Sequence, residues 1–289
     1  MRGDELRLRR CMELVLDRFA SLGLSVRLFL DRIGRFSRFA GRTLTLVFTQ
    51  PSTWMRWRQI GPLLYSVGAS SVIVVSITGA FIGMILALEG FDQFAALGQE
   101  AQMGGVIAAA VVKQIGPVLA AVMLAGRVGG ALAAELGTMK VTEQLDAMRA
   151  MSADPIKTLV VPRVVACVIM TPILTIYSDL LGILGSFGII CGMYGVTRAD
   201  YWYSTTQFLS GWDPLNGVIK SLAFGLAIGL ISCYRGFRCE GGAAGVGRAS
   251  TQSFVASFLT IIVVNLLLAQ FLQSLQRWID PETLRTLAS

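Results

Sequence analysis

The chain has 289 residues, of which 54% are hydrophobic and only 15% charged, with a net charge of +7 and no histidine. A soluble domain carries about 25% charged residues, so this composition excludes an ordinary soluble globular protein. With a mean hydropathy of +0.64 it points to a chain that crosses a membrane several times.

The missing histidine removes the commonest acid–base group and the commonest metal ligand. The five cysteines, Cys11, Cys167, Cys191, Cys233 and Cys239, form no C-x-x-C pair, and three of them sit in apolar runs, where cysteine behaves as a small hydrophobe. Neither a disulfide framework nor a metal site is expected. The net charge is local. Residues 1–60 hold twelve arginines and five acids, and the rest of the chain holds thirteen basic and thirteen acidic residues. A basic segment can bind nucleic acid, but beside membrane spans it fits the anionic cytoplasmic leaflet, and no nucleic-acid partner is expected.

Residues 1–58 read as a basic extension leading into an interfacial helix. Leu28, Phe29, Ile33, Phe36 and Phe39 interleave with Arg27, Arg32, Arg35 and Arg38, a pattern in which arginines snorkel to lipid phosphates. Trp54 and Trp57, near Arg56 and Arg58, suit the headgroup level. No charge-free stretch with a cleavage site follows the basic start, so no cleaved leader is expected.

Residues 59–278 read as one domain. A charge-free run over 60–88 is longer than the roughly 20 residues needed to cross and contains Gly79-x-x-x-Gly83, which permits close helix approach within the subunit or between subunits. Glu89 and Asp92 open an acidic loop. A second span over 103–126 carries one charge, Lys113, about 15 Å of helix from its start, followed by Gln114 and by Gly116-Pro117, a candidate kink. A third stretch, 159–196, has Arg163 near its start and Asp179 in its middle. A fourth span covers 214–234 with Gly225-x-x-x-Gly229, a fifth covers 253–276, and 279–289 is a tail.

Basic residues decide orientation. The 89–102 loop has no lysine or arginine, the 127–163 region five, the 197–213 loop one and the 235–250 loop three. Five spans follow, with a cytoplasmic N-terminus and a periplasmic C-terminus, provided that 159–196 crosses once; we expect it to be broken near Ser178-Asp179. Gly241 to Gly247 is glycine-rich but lacks the lysine of a nucleotide-binding loop and reads as a flexible loop.

Lys113 is the most informative single residue, because a lysine deep in a bilayer costs about 2.5–3.5 kcal/mol on insertion scales. It either pairs with Asp179 or Glu89 or lines a lipid cavity with Gln114 and Glu89. Between the second and third spans, Leu132, Leu136 and Met139 form one helical stripe, and Val141, Leu145 and Met148 a second. Gly137 reads as a helix stop, leaving a short amphipathic helix over about 138–151 whose polar positions hold Lys140, Glu143, Gln144 and Asp146. It is either a connector or a docking helix for a soluble partner.

The run from Ala134 through Glu135-Leu136-Gly137-Thr138-Met139-Lys140-Val141-Thr142-Glu143-Gln144-Leu145-Asp146 to Met148 resembles the signature of the MlaE family of ABC-transporter permeases. The likeness extends to Gln114-Ile115-Gly116-Pro117, Ala125-Gly126-Arg127 and Asp154-Pro155. The resemblance implies an all-α polytopic membrane protein with an N-terminal interfacial helix, five transmembrane helices and a cytoplasmic coupling helix between spans two and three. It further implies a homodimer in the inner membrane, a separate ATPase that grips the coupling helix, a periplasmic Mce-domain protein, and phospholipid as the cargo. ATP would act through the ATPase, and no cofactor would bind this chain directly. Glu135, Met139, Lys140, Glu143, Gln144 and Asp146 would then carry ATPase coupling. Some family members have a basic–acidic pair where this chain has Lys113-Gln114. The alternative, an intramembrane lipid-modifying enzyme, would need convergent acid and base groups, and no catalytic spacing links Glu89, Lys113 and Asp179.

Overall fold

The computed structural model describes Arg27, residues 30–50 and residues 57–279; for Trp57, Arg58, Gln59 and Ile279 it describes the backbone. The basic extension over 1–26, Leu28, Phe29, Trp54, Arg56, Cys11 and the tail from residue 280 lie outside the described residues. The residues group into two compact units, Met1–Thr49 and Gln50–Ser289. In the first, residues 30–49 form a helix in which Arg35 pairs with Asp31 at 2.7 Å and Thr43 donates to the Phe39 carbonyl.

The second unit is all helical among the described residues. Five helices are long and apolar enough to cross a membrane: Ile60–Ala96, Glu100–Val141, Ile156–Gly192, Trp212–Phe237 and Gly242–Trp278. They are the first to fifth spans. The first shows how sequence sets packing. Ser71, Val75, Gly79, Gly83 and Ala87 form a buried stripe at a spacing of four, while Ile73, Ile77, Phe81 and Ile85 form an exposed one. Small residues therefore face protein and large ones face outward, as close helix packing in a bilayer requires.

The third span is the most buried of the five and receives both small-residue patterns. A Cβ at Gly79 would lie 2.7 Å from the Ser178 carbonyl, and one at Gly83 would land on the Gly182 backbone. From the other side, Gly225 abuts the Cys167 carbonyl and Gly229 the Val164 backbone. All four glycines thus serve packing within the subunit. The third stretch is one continuous helix to Gly192 with no break at Ser178-Asp179, which corrects the expectation from sequence. The Asp179 side chain is accommodated sideways against Gly116, where a Cβ would occupy its position, so the polar residue needs no interruption of its own helix.

The second span does deviate, but by widening. Five-residue π turns occupy Val111–Ile115 and Ala125–Gly129. The first directly precedes Gly116-Pro117. Proline has no amide hydrogen and its ring crowds the carbonyl four residues back, here that of Lys113, and a π turn absorbs the misfit. The fifth span begins at Gly242, so Ala243 to Gly247 are helical. Of the flexible loop expected over Gly241 to Gly247, only Gly241 lies outside the helix, and both it and Gly242, the first helical residue, have positive φ.

One element was not anticipated. Arg198–Phe208 is a helix, not a loop. Its Tyr201 is fully buried, bonding to Ser186 at 2.8 Å and donating to the Ile183 carbonyl at 2.9 Å. Gly104 and Gly105 at the head of the second span admit Tyr201 and Phe208 at close range, and the Gly105 amide donates to Ser204.

Candidate functional site

Two places combine charge with a special backbone. The first lies between the second, third and fourth spans. Lys113 sits in the π turn, and its ammonium is 3.2 Å from Asp213 Oδ2. Asp213 opens the fourth span and is essentially fully buried, whereas the Lys113 side chain is 46% exposed. The same Asp213 oxygen accepts the Ser210 amide at 3.0 Å. Two turns along the fourth span, buried Lys220 donates to the Lys113 carbonyl at 2.9 Å and to Gln114 Oε1 at 2.8 Å. That carbonyl is the one Pro117 cannot serve, so a lysine ammonium from a neighbouring span occupies a position created by the proline. The buried Oδ1 atoms of Asp179, Asp213 and Asn216 have no hydrogen-bond partner among the described residues.

This geometry revises the reading of Lys113. Its carboxylate is Asp213, one hundred residues away, rather than Asp179 or Glu89. Glu89 is exposed on the first span and shares no ion pair with Lys113. The cluster also lies level with the first turn of the fourth span, nearer one end of the bundle than the count from Met103 suggested. Lys220 and Asp213 were missed because each sits near a span end, where a charge needs no special explanation. Gln114 and Lys113 remain exposed at the surface of this single subunit, so the cluster presents one cation and one amide outward, backed by a buried lysine and carboxylate.

The second place is the junction between the second and third spans. The helix Gly130–Val141 runs straight through Gly137, whose missing side chain leaves room for Cys239 at 3.3 Å; it is a packing glycine, not a helix stop. The chain turns instead at Thr142-Glu143, where Glu143 has φ 60°. A short helix, Gln144–Ala150, follows, so the helix expected over 138–151 is two helices with a bend between them. Leu132, Leu136 and Leu145 are buried, Met139 and Met148 are half-buried, and Gln144 is exposed. Val141, expected on the same stripe, is exposed. Asp154 closes the segment by accepting the Ile156 amide at 3.0 Å.

Charges are paired across this junction. Asp146 Oδ2 accepts from Lys140 at 2.7 Å and Oδ1 from Arg149 at 2.8 Å. The Lys140 hydrogen bond, with the charges of Lys140 and Arg149, holds the Asp146 carboxyl below its ordinary value. Glu135 meets Arg163 of the third span at 3.3 Å, and Arg163 also donates to the Leu159 carbonyl.

A bundle of five apolar helices, with charged groups held between spans and a charged elbow joining two of them, defines an all-α polytopic membrane protein. The profile of the family described as Permease MlaE matches residues 61–271. A probable ABC transporter permease protein of Rickettsia bellii is 37% identical over 252 residues, covering 86% of this chain and 95% of its own. A probable ABC transporter permease protein of Synechocystis is 41% identical over 203 residues, 70% of this chain and 77% of its own. The intermembrane phospholipid transport system permease protein MlaE of Haemophilus influenzae is 32% identical over 250 residues, 83% of this chain and 95% of its own. The chain belongs to the MlaE permease family and is a transporter permease subunit.

Proposed function

We propose that this chain is the membrane subunit of an ABC transporter that moves phospholipid between the inner and outer membranes. It works as a homodimer in the inner membrane, with its N-terminus cytoplasmic and its C-terminus periplasmic. A separate ATPase docks on the elbow between the second and third spans, and an Mce-domain protein receives or delivers lipid on the periplasmic side. The chain binds no cofactor itself, and ATP acts through the ATPase. The relative named for intermembrane phospholipid transport supports the cargo, and the five basic residues over 127–163 support a cytoplasmic elbow.

The observation that carries this reading is the half-exposed Lys113 in the membrane-spanning part of the bundle. A lysine facing hydrocarbon is costly, whereas one facing a cavity that admits a phosphate headgroup is matched by charge. Asp213 and Lys220 hold its position from behind: the first anchors its ammonium and the second its carbonyl. Gln114, beside it, offers a neutral hydrogen-bonding group. A photoreactive amino acid placed at residue 113 in native membranes tests this. Ultraviolet light should yield a phospholipid adduct on the permease, and adducts to protein alone would overturn the lipid-cavity assignment.

A further inference from the structure

The sequence places Glu143 and Asp146 three residues apart, which on one helix would present both to a partner. The structure separates them. Glu143 is not helical; it sits at the bend with φ 60°, exposed and in no ion pair among the described residues. Asp146 lies on the short helix, with one carboxylate oxygen held by Lys140 from the preceding helix and the other by Arg149. Each of its two oxygens thus already accepts from a cation of the same subunit.

The pair Lys140–Asp146 spans the bend, six residues apart. Exposed ion pairs contribute little to folding stability, but a charge bridge across a two-residue bend favours one angle between the helices it joins. Next to it, Leu145 is fully buried. The short helix is thus held at two adjacent points, a buried leucine side chain and a carboxylate tied to the end of the second span. A push on the helix is then passed to that span instead of being lost as rotation about Thr142-Glu143.

We infer that Asp146 is a positioning residue, fixing the coupling helix to the second span through Lys140, and that Glu143 at the bend is the acidic group offered to the ATPase; this rests on the ATPase-docking reading above. The test uses the full permease–ATPase complex and two readouts, recovery of the ATPase with the permease and phospholipid moved per ATP hydrolysed. Asp146→Asn should leave ATPase recovery at the wild-type level and lower phospholipid moved per ATP severalfold. Lys140→Gln should do the same, and the double variant should be no worse than either single one, because both changes remove one bridge. Asp146→Glu, which keeps the charge, should restore part of the loss. Glu143→Gln should instead reduce ATPase recovery while the complexes that form keep their yield per ATP.

If Asp146→Asn loses the ATPase as Glu143→Gln does, Asp146 is a contact residue and the inference is overturned. Unchanged yield per ATP in both Asp146→Asn and Lys140→Gln overturns it as well. Failure of the wild-type permease to recover any ATPase is a distinct result, which removes the docking reading and this inference with it.

Discussion

Lys113 and Asp213 show why the position of one charge depends on a residue far away in the chain. Removing one partner of a fully buried pair costs about 3–5 kcal/mol. Because Lys113 is half-exposed, solvent or headgroups screen part of that cost, and Lys113→Ala should destabilise by about 1–3 kcal/mol. Adding Asp213→Asn removes the orphaned carboxylate, so the double variant should recover thermal stability while still retaining less phospholipid on purification than wild type. Stability that stays low in the double variant would mean that Asp213 has another role. Asp146 makes a pH prediction with the opposite emphasis. Its carboxyl is held below the ordinary value by Lys140 first and then Arg149. A depressed acid contributes above its unfolded value and loses that contribution as pH falls through its folded value. Phospholipid moved per ATP should therefore lose no Asp146-dependent part between about pH 8 and about pH 5, with the bridge lost only below the usual carboxylate range. A fall centred on the normal carboxylate value in wild type, absent in Asp146→Asn, would contradict the bridge.

At the scale of elements, glycine separates packing from propensity. A Cβ at Gly83 would strike backbone of the third span, which cannot rotate away, whereas one at Gly188 would meet nothing within 4 Å. Gly83→Ala should destabilise by about 1–3 kcal/mol through overpacking, while Gly188→Ala should be neutral or stabilising by up to about 1 kcal/mol; thermal unfolding in detergent distinguishes them. Equal behaviour of the two would place the first and third spans farther apart than the structure has them. The five spans were legible because an apolar run longer than a bilayer leaves few alternatives. The elbow was legible as a charged, helical junction, but not its bend, because Gly137 looks like a helix stop and only the neighbouring Cys239 reveals that it is a packing residue. The Arg198–Phe208 helix was not legible: it is short and polar, and what holds it is tertiary burial of Tyr201 against Ser186 and the Ile183 carbonyl. The partner of Lys113 was hidden for the same reason, since one-dimensional spacing says nothing about which span end comes to lie beside it.

At the scale of the whole molecule, the bundle places its polar cluster and its elbow at different heights along the second span, with Lys113 and Asp146 on either side of the π turn at Ala125–Gly129. On the proposed reading, a push on the elbow would reach Lys113 along the second span, through the Lys140–Asp146 bridge and the π turn at Ala125–Gly129. Orientation is part of this account: a reporter fused after Ser289 should score as periplasmic and one inserted near Gly242 as cytoplasmic, and a cytoplasmic C-terminus would reverse the assignment of the elbow. The central claim is that this subunit moves phospholipid when its ATPase partner hydrolyses ATP. Its most direct test is transfer of a labelled phospholipid out of proteoliposomes that contain the permease with that ATPase, in the presence of the periplasmic acceptor. The account predicts transfer that needs ATP, disappears with a hydrolysis-deficient ATPase and falls in the Lys113→Ala, Asp213→Asn double variant. Transfer that is independent of ATP, or chemical turnover of the lipid by the isolated permease, would contradict it.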